Sequence, residues 1–238
     1  MSITFPGESA DYRAARNTLL EREIALRREI AAVADQRKTL PPGGIVPEDY
    51  VFEQEGPGRV PVTVKMSELL EPGKDTLAIY SFMFTPGMEK PCPGCTGLID
   101  SLGRTVEYLQ NRINFQFVAD SPLRRIVEVA HKRGWNGMPM LSTAGNSYNR
   151  DYHGLHPDGY ALPMFNVFRR DGDDIRHFWG AELLYAPGEP GMDSRSNDTW
   201  DAVWNLLDLT PEGRGADWEV PIDYETPYPS APAHQAHP

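Results

Sequence analysis

Two cysteines, Cys92 and Cys95, stand three positions apart in a CPGC tetrapeptide and are the only cysteines of the 238-residue chain. An apolar run of strand length, residues 77–84, precedes them, and from Thr96 onward apolar residues recur at helical spacing. A disulfide that closes so short a loop removes little entropy from the unfolded chain, which makes a purely structural bridge a poor explanation. The pattern therefore predicts a pair of reactive thiols where a buried strand meets a helix N-terminus.

The position of the two thiols on the helix predicts different roles for them. The unpaired amides of a first helical turn and the helix dipole stabilise a thiolate, which lowers the thiol pKa. Cys92, the outer cysteine, is predicted to attack a disulfide, and Cys95, one turn further in, to resolve the mixed disulfide. Pro93 and Gly94 restrain the turn and keep it small, and we assign them to the substrate-binding surface.

Strands and helices are predicted to alternate around this motif. The strand–helix–strand–helix order implies parallel strands joined by right-handed crossovers. A polar insertion over 145–160 follows, and the Asp171-Gly172 pair then marks a β-hairpin. The predicted elements are strands over 60–64, 77–84, 114–119, 138–143, 163–168 and 174–179, and helices over 67–70, 96–112 and 121–134.

The ends of the chain extend this core. Ser9 is a plausible N-cap for one long helix that Pro41 ends, and this helix either mediates dimerisation or docking, or packs on its own domain. A linker rich in proline, glycine and acids is predicted over 41–60. Near the C-terminus, Asp198 or Asn197 is predicted to cap a short helix. The predicted organisation is 1–60 for the helix and linker, 61–224 for the catalytic domain with its extension, and 225–238 for a disordered tail.

Charge and hydropathy limit the partners and the compartment. The formal net charge is −11, which disfavours binding to phosphate backbones and to anionic membrane surfaces. No run of about 18 apolar residues and no secretory signal pattern is visible. We therefore expect a cytoplasmic protein that binds neither nucleic acid nor membrane.

The order of these elements resembles the thioredoxin fold, in which a strand ends at CxxC and a proline-led hairpin follows later. In that fold the proline is cis and faces the thiols, so the resemblance implies that Cys92, Cys95 and Pro163 share one site. It also implies that the backbone of Leu162 pairs with an incoming peptide substrate. From the residues alone, Pro163 is equally well explained as an ordinary strand-starting proline.

Over residues 8–225 the sequence is similar to a bacterial family, domain of unknown function 899, whose members are described as thioredoxin-like or as predicted dithiol–disulfide oxidoreductases. This resemblance implies an α/β, thioredoxin-like fold with a long N-terminal helix, an insertion before the proline-led hairpin and a C-terminal helical extension. It also implies a disulfide substrate, a reductase partner and no cofactor besides the redox-active disulfide. The segments that carry it are LLEREIALRREIAAVADQRKTLP, EDYVFE, CPGCTGLIDSL, RRDGDDIRHFW and LDLTPEGRGADWEVPIDY.

The sequence also departs from ordinary thioredoxins. Pro91 stands where those proteins have a tryptophan, and the strand IYSFMF lacks their buried aspartate. We therefore consider Asp151 and His153, in the insertion, as candidates for proton transfer.

Other functions remain open at this point. Cys92 and Cys95 would hold a soft metal ion if His153 or His177 supplied a third ligand. An interaction module with a vestigial CxxC is a further alternative. A peroxidase is disfavoured, because Thr85 lies too far before Cys92 for the usual motif.

Overall fold

A computed structural model of the protein describes residues 3–191, 193 and 200–225. The chain separates between Gly43 and Gly44 into two compact units. The first unit contains helix α1 (Ala10–Lys38), whose N-cap is Ser9, as predicted. The Ser9 side chain accepts a hydrogen bond from the Tyr12 amide at 3.1 Å, which satisfies one of the unpaired donors of the first turn.

The second unit is built on one seven-stranded mixed sheet. Its spatial order is β2-β1-β5-β4-β3-β6-β7, and β3, β4 and β5 run parallel at its centre. The other neighbouring pairs are antiparallel. The strands are β1 (Val51–Glu55), β2 (Pro61–Lys65), β3 (Thr76–Ser81), β4 (Asn114–Ala119), β5 (Met140–Ser142), β6 (Met164–Asp171) and β7 (Asp174–Gly180).

The described residues of this unit also form four α-helices: α2 (Pro93–Leu109), α3 (Leu123–Arg133), α4 (Tyr148–Asp151) and α5 (Ala202–Leu207). Helix α2 is interrupted at Gly103, whose φ of 24° departs from helical geometry. Helix α3 ends at Gly134, as predicted, in the left-handed conformation that glycine adopts at little cost. The start predicted for this helix, residue 121, is two residues too early: α3 begins at Leu123, and its N-cap is Pro122, which makes no side-chain hydrogen bond.

Strand residues alternate between two cores, one on each face of the sheet, as the period of two requires. Along β3, Leu77 and Ile79 point to one core, and Ala78 and Tyr80 point to the other. Apolar residues of α2 and α3 complete the core that contains Tyr80 and Cys95. The opposite core is completed largely by the residues before β3 and by the insertion; its aromatic members are Tyr50, Phe52, Tyr148 and Phe168.

The thioredoxin-like fold is confirmed by this arrangement. Strand β3 leads into the CPGC segment and α2, β4 and α3 follow, and β6 and β7 form the antiparallel hairpin beside β3. Proline 163 directly precedes β6, so it does start a strand. The described helices include none with the length and apolarity needed to cross a membrane.

Two segments differ from the sequence-based expectation. The predicted linker contains β1, which joins β2 to β5 and buries Phe52 completely. The sequence VFEQE shows little apolar–polar alternation, because only one face of β1 is buried and the exposed face carries the acidic residues. The insertion is more ordered than a loop, since α4 places Tyr148 in the core. Helix α5 is capped by Asp201; the predicted caps, Asp198 and Asn197, lie outside the described residues, as does nearly all of the predicted tail.

Candidate active site at the CxxC motif

The loop before the thiols is held by backbone and side-chain hydrogen bonds. Cys92 is the N-cap of α2, and its amide donates to the Met83 carbonyl at 3.0 Å. The Arg125 guanidinium lies 4.5 Å from the centre of the Phe84 ring and donates to the Thr85 carbonyl at 3.0 Å. It also donates to carbonyls further along this loop. These contacts fix the start of α2, and therefore Cys92, relative to the sheet.

The two cysteines are both free thiols and differ in burial: Cys92 is half-buried and Cys95 is buried. A hydrogen bond from the Cys95 thiol is the largest effect that lowers the pKa of Cys92, to about 6. The backbone amides of Cys95 and Gly94 lower it further, whereas burial and the negative charge of Glu219 oppose the shift. Cys92 is therefore largely a thiolate at neutral pH.

The pKa of Cys95 is shifted in the opposite direction. Its hydrogen bond to Cys92, its burial and the nearby Cys92 charge raise the pKa well above the usual thiol value. Hydrogen bonds from the Met83 backbone and the Tyr80 hydroxyl oppose this shift. The site thus pairs an ionised outer thiol with a protonated inner one.

Tyr80 on β3 occupies the inner side of the site. Its side chain is buried, its hydroxyl is hydrogen bonded to Cys95, and its ring packs edge-on against Trp200 at 5.2 Å. Burial, followed by the negative charge of Cys95, raises the pKa of Tyr80 well above its ordinary value. Asp201 lies close enough for its charge to contribute to that rise. The Tyr80 phenol therefore lies beside Cys95, and the acid near Tyr80 is Asp201, the N-cap of α5, since β3 itself contains no acid.

Two tyrosines that are distant in sequence, Tyr185 and Tyr224, lie close to the thiols. The Tyr185 hydroxyl donates to the Pro163 carbonyl, and burial together with the Cys95 charge raises the pKa of Tyr185 to about 12. The Tyr224 hydroxyl donates to the Pro91 carbonyl at 2.7 Å. Neither tyrosine was predicted from the sequence, because both lie in segments without helical or strand periodicity.

Residues 218–225, which we call the C-terminal segment, lie along the first turns of α2. A Cβ atom at Gly97 would come within 2.6 Å of Val220, so only glycine allows this close approach. The segment is anchored by Arg133, which donates to the Asp223 carbonyl at 3.0 Å, and by a 2.8 Å ion pair between Lys90 and Glu225. It therefore covers one side of the CxxC motif.

The residues before β6 are connected to the site through Tyr185, whose hydroxyl is bonded to the Pro163 carbonyl. The peptide bond between Leu162 and Pro163 is trans, as are the other peptide bonds of the described residues, so the cis-proline implied by the resemblance is wrong for this chain. The Leu162 amide donates to the Gly154 carbonyl at 3.0 Å. The role implied for Leu162 in pairing with a peptide is therefore not supported, because the insertion already occupies that donor. Pro163 itself lies beside the site through its contact with Tyr185.

The fold separates Asp151 and His153, the two residues predicted to transfer protons. Asp151 accepts hydrogen bonds from the Tyr50 hydroxyl at 2.7 Å and from Ser147 at 2.5 Å. Tyr50 belongs to the core on the opposite face of the sheet from Cys95, so Asp151 is not brought to the thiols. His153 lines a cavity together with Leu162 and Tyr185.

Pro93 and Gly94 lie at the start of α2, and their assignment to the substrate-binding surface remains a prediction. Pro93 is the first residue of α2, and a Cβ atom at Gly94 would be 3.8 Å from the Cys92 sulfur. Gly94 therefore adds no side chain next to the Cys92 sulfur.

The histidines proposed as metal ligands are not gathered around the thiols. His177 packs with Tyr152, and its Nε2 lies 2.9 Å from the Asn166 side-chain oxygen. Within residues 3–191, 193 and 200–225, no group of three or more His, Cys, Asp or Glu side chains is arranged to hold a metal ion.

Comparison with known proteins gives a family and distant structural similarity. The family described as "Bacterial protein of unknown function (DUF899)" matches residues 3–234. No protein with a curated description matches the chain. Similar solved structures include a reduced 2-Cys peroxiredoxin of Plasmodium vivax, with 16% identity, a TM-score of 0.45, and coverage of 70% of this chain and 98% of that chain. Another is AhpC of Mycobacterium tuberculosis, with 15% identity, a TM-score of 0.42, and coverage of 73% and 94%.

Proposed function

Because this chain belongs to the bacterial DUF899 family, whose description assigns no activity, we propose from the site itself that the protein is a dithiol–disulfide oxidoreductase. The observation that carries the proposal is the opposite shift of two adjacent thiol pKa values at one helix N-terminus. Cys92 has a pKa lowered to about 6, and the pKa of buried Cys95 is raised well above its usual value. Such a pair suits successive attack and release at a disulfide.

The reaction proceeds in two balanced exchange steps. The Cys92 thiolate attacks one sulfur of a substrate disulfide, forms a mixed disulfide and releases the first substrate thiolate. Cys95 then loses its proton to solvent or to the departing thiolate and attacks the Cys92 sulfur. The second substrate thiolate leaves, and the two electrons given by the dithiol remain with the reduced product as a Cys92–Cys95 disulfide forms.

Tyr80 acts at the second step. The Tyr80 hydroxyl donates to Cys95 and stabilises the negative charge that must form there before attack. Hydrogen bonds to ionised groups contribute more than neutral ones. We propose that Tyr80 takes the place of the carboxylate that the strand IYSFMF lacks. Asp151 has no part in this step, because its carboxylate is hydrogen bonded to Tyr50 and Ser147 on the opposite face of the sheet.

The cycle needs an external reductant, which we propose is a dithiol reductase or a small dithiol in the cytoplasm. No bound cofactor is required, because the cysteines carry both electrons. The net charge of −11 is consistent with partners that are neither nucleic acids nor membranes. Dimerisation remains a prediction for α1.

Two experiments test the function: a redox titration of the wild-type protein, and trapping of the mixed disulfide in two single-cysteine variants. We expect a reversible two-electron couple between about −120 and −270 mV, the range of thioredoxin-fold enzymes. Cys95→Ser should accumulate a mixed disulfide visible by mass spectrometry, and Cys92→Ser, its matched control, should form none. Thiol exchange at the wild-type rate in Cys92→Ser would exclude the proposal.

A further inference from the structure

Helix α1 has a row of exposed apolar side chains. The helix contains 29 residues, and none of them is buried. The row consists of Tyr12, Leu19, Leu26 and Val33, which are between 43% and 61% exposed. In proteins, most of the stability of a helix comes from packing such a face against a neighbour. The described residues of the first compact unit, 3–43, contain no other helix or strand that could supply this packing.

The spacing of this apolar row indicates what kind of partner fits it. Its members follow one another at seven positions. On a straight helix such a row drifts around the axis by about 20° per repeat, because seven residues fall short of two full turns. The row stays in line only against a second helix that coils with the first. The partner that the spacing favours is therefore another helix.

A second row, four residues after each member of the first, decides between the two orientations of a helix pair. Both rows face the partner in a two-helix seam. The second row consists of Arg16, Glu23, Ile30 and Arg37. In a parallel pair of identical helices each residue lies opposite its own copy, so the three charged members would each meet a like charge. In an antiparallel pair they face the apolar row of the other helix, which removes these repulsions.

The charges beside the seam select one antiparallel register. When Ile30 lies opposite Leu19 of the second copy, the two helices overlap along nearly the whole of Ala10–Lys38. In that register Arg22 lies beside Glu29 of the second copy, and two-fold symmetry makes the contact occur twice. A shift by one heptad would bring Arg22 against its own copy in one direction, and Glu29 against its own copy in the other.

Arg22 and Glu29 are both available for such contacts. Both are exposed, and within the part of the chain that the structure describes neither side chain forms an ion pair or a hydrogen bond. A parallel pair would instead place Arg22 beside Arg27 of the second copy, which adds a further repulsion. The helix is therefore complementary in charge to a reversed copy of itself.

We propose that α1 binds α1 of a second copy of this chain as an antiparallel helix pair, in which Arg22 and Glu29 form two reciprocal ion pairs. The self-complementary charges favour a second copy over an unrelated helix, because one register satisfies both charges on both helices. The pairing does not depend on the oxidoreductase function, so its failure would leave that function standing.

Charge reversal in the full-length protein provides the test. Sedimentation equilibrium at low salt, with dithiothreitol present so that Cys92 cannot cross-link two chains, should show a reversible monomer–dimer equilibrium. Arg22→Glu turns two attractive pairs into two repulsive ones and should raise the dissociation constant about tenfold. Glu29→Arg should do the same. The Arg22→Glu/Glu29→Arg double variant exchanges the two charges and should return to the wild-type constant.

Arg28→Glu is the matched control, because Arg28 is exposed on the side of α1 away from the seam and its reversal should leave the dissociation constant unchanged. Circular dichroism checks that each variant keeps its helix content. A tighter dimer in Arg22→Glu would indicate a parallel pair, and an unchanged dimer would indicate another surface or register. Either result, or a wild-type protein that stays monomeric at the highest concentration reached, would overturn the proposal.

Discussion

Cys92 and Cys95 are chemically alike and three residues apart, yet their pKa values move in opposite directions. The largest cause is the hydrogen bond that the Cys95 thiol donates to Cys92, which lowers the pKa of Cys92 and raises the pKa of Cys95. Backbone amides of the first turn lower the pKa of Cys92 further, and burial raises the pKa of Cys95 further. Ionising one thiol makes it harder to ionise the other, because both charges would share a small region of low polarity. The pair therefore holds one proton over a wide range of pH.

This shared proton predicts the pH dependence of the reduction potential. Below the Cys92 pKa of about 6, reduction takes up two protons with two electrons, so the potential should fall by about 59 mV per pH unit. Above it the reduced form keeps one proton, and the slope should halve to about 30 mV. A potential measured against glutathione at several pH values shows the break, and iodoacetamide labelling of Cys92 should have the same midpoint. A constant 59 mV slope up to about pH 8 would contradict the lowered pKa.

Tyr80→Phe tests the residue beside the inner thiol. The ring keeps its packing against Phe117 and Trp200, and only the hydroxyl that donates to Cys95 is lost. A hydrogen bond to a charged group contributes about 1.5 kcal/mol or more, so release of the second substrate thiol should slow at least about tenfold. Formation of the mixed disulfide at Cys92 should change little.

The control for this variant is Tyr108→Phe, which removes a hydroxyl from a tyrosine that is 75% exposed. If the second release keeps its wild-type rate in Tyr80→Phe, the phenol does not stabilise the Cys95 thiolate.

At the scale of elements, the contact between α2 and the C-terminal segment depends on the absence of a side chain at one position. Gly97 leaves room for Val220, and an added methyl group would overlap it at 2.6 Å. Overpacking of this kind costs about 1–3 kcal/mol unless the neighbour moves. We expect the segment, and not α2, to move, because single contacts hold it and it belongs to no sheet or helix.

Gly97→Ala is therefore expected to displace the C-terminal segment. Cys92 should be alkylated several-fold faster, and residues 218–225 should become accessible to proteolysis. Val220→Ala removes the overlapping methyl groups, so the Gly97→Ala/Val220→Ala double variant should return toward wild-type protection. A double variant as exposed as Gly97→Ala would show that the overlap is not the cause, since interacting sites give non-additive effects.

At the scale of the whole molecule, the chain divides at Gly43 and Gly44. The described residues of the second unit contain the complete seven-stranded sheet, both cores and the thiol site. Folding energy in such a unit comes mainly from burial within its own cores. The redox chemistry should therefore not depend on the first unit.

Deletion of residues 1–43 tests this independence. The remaining chain should unfold cooperatively within a few degrees of the full chain and keep the pH midpoint of Cys92 alkylation. Sedimentation of both chains then shows whether α1 mediates dimerisation. Loss of cooperative unfolding in the shorter chain would mean that the first unit contributes to the stability of the second.

Much of the local structure could be predicted from the sequence. β4 matches its predicted bounds, and the caps at Ser9 and Gly134 lie where expected, because these features depend on neighbours in the chain. β1 was missed because its pattern is weak and its partners are distant. β3 is shorter than predicted, since residues 82–84 leave the sheet and yet stay largely buried on the way to the Cys92 loop.

Some features of the candidate site were likewise predictable from the sequence, and others were not. The CPGC motif and the helical period after it determined by themselves that two thiols meet at a helix N-terminus, since that follows from spacing within one turn. Only the tertiary structure decided that Tyr185 and Tyr224 approach those thiols, that Asp201 approaches Tyr80, and that the Leu162 amide is already hydrogen bonded. Such contacts depend on how distant segments pack together, and no local periodicity encodes them.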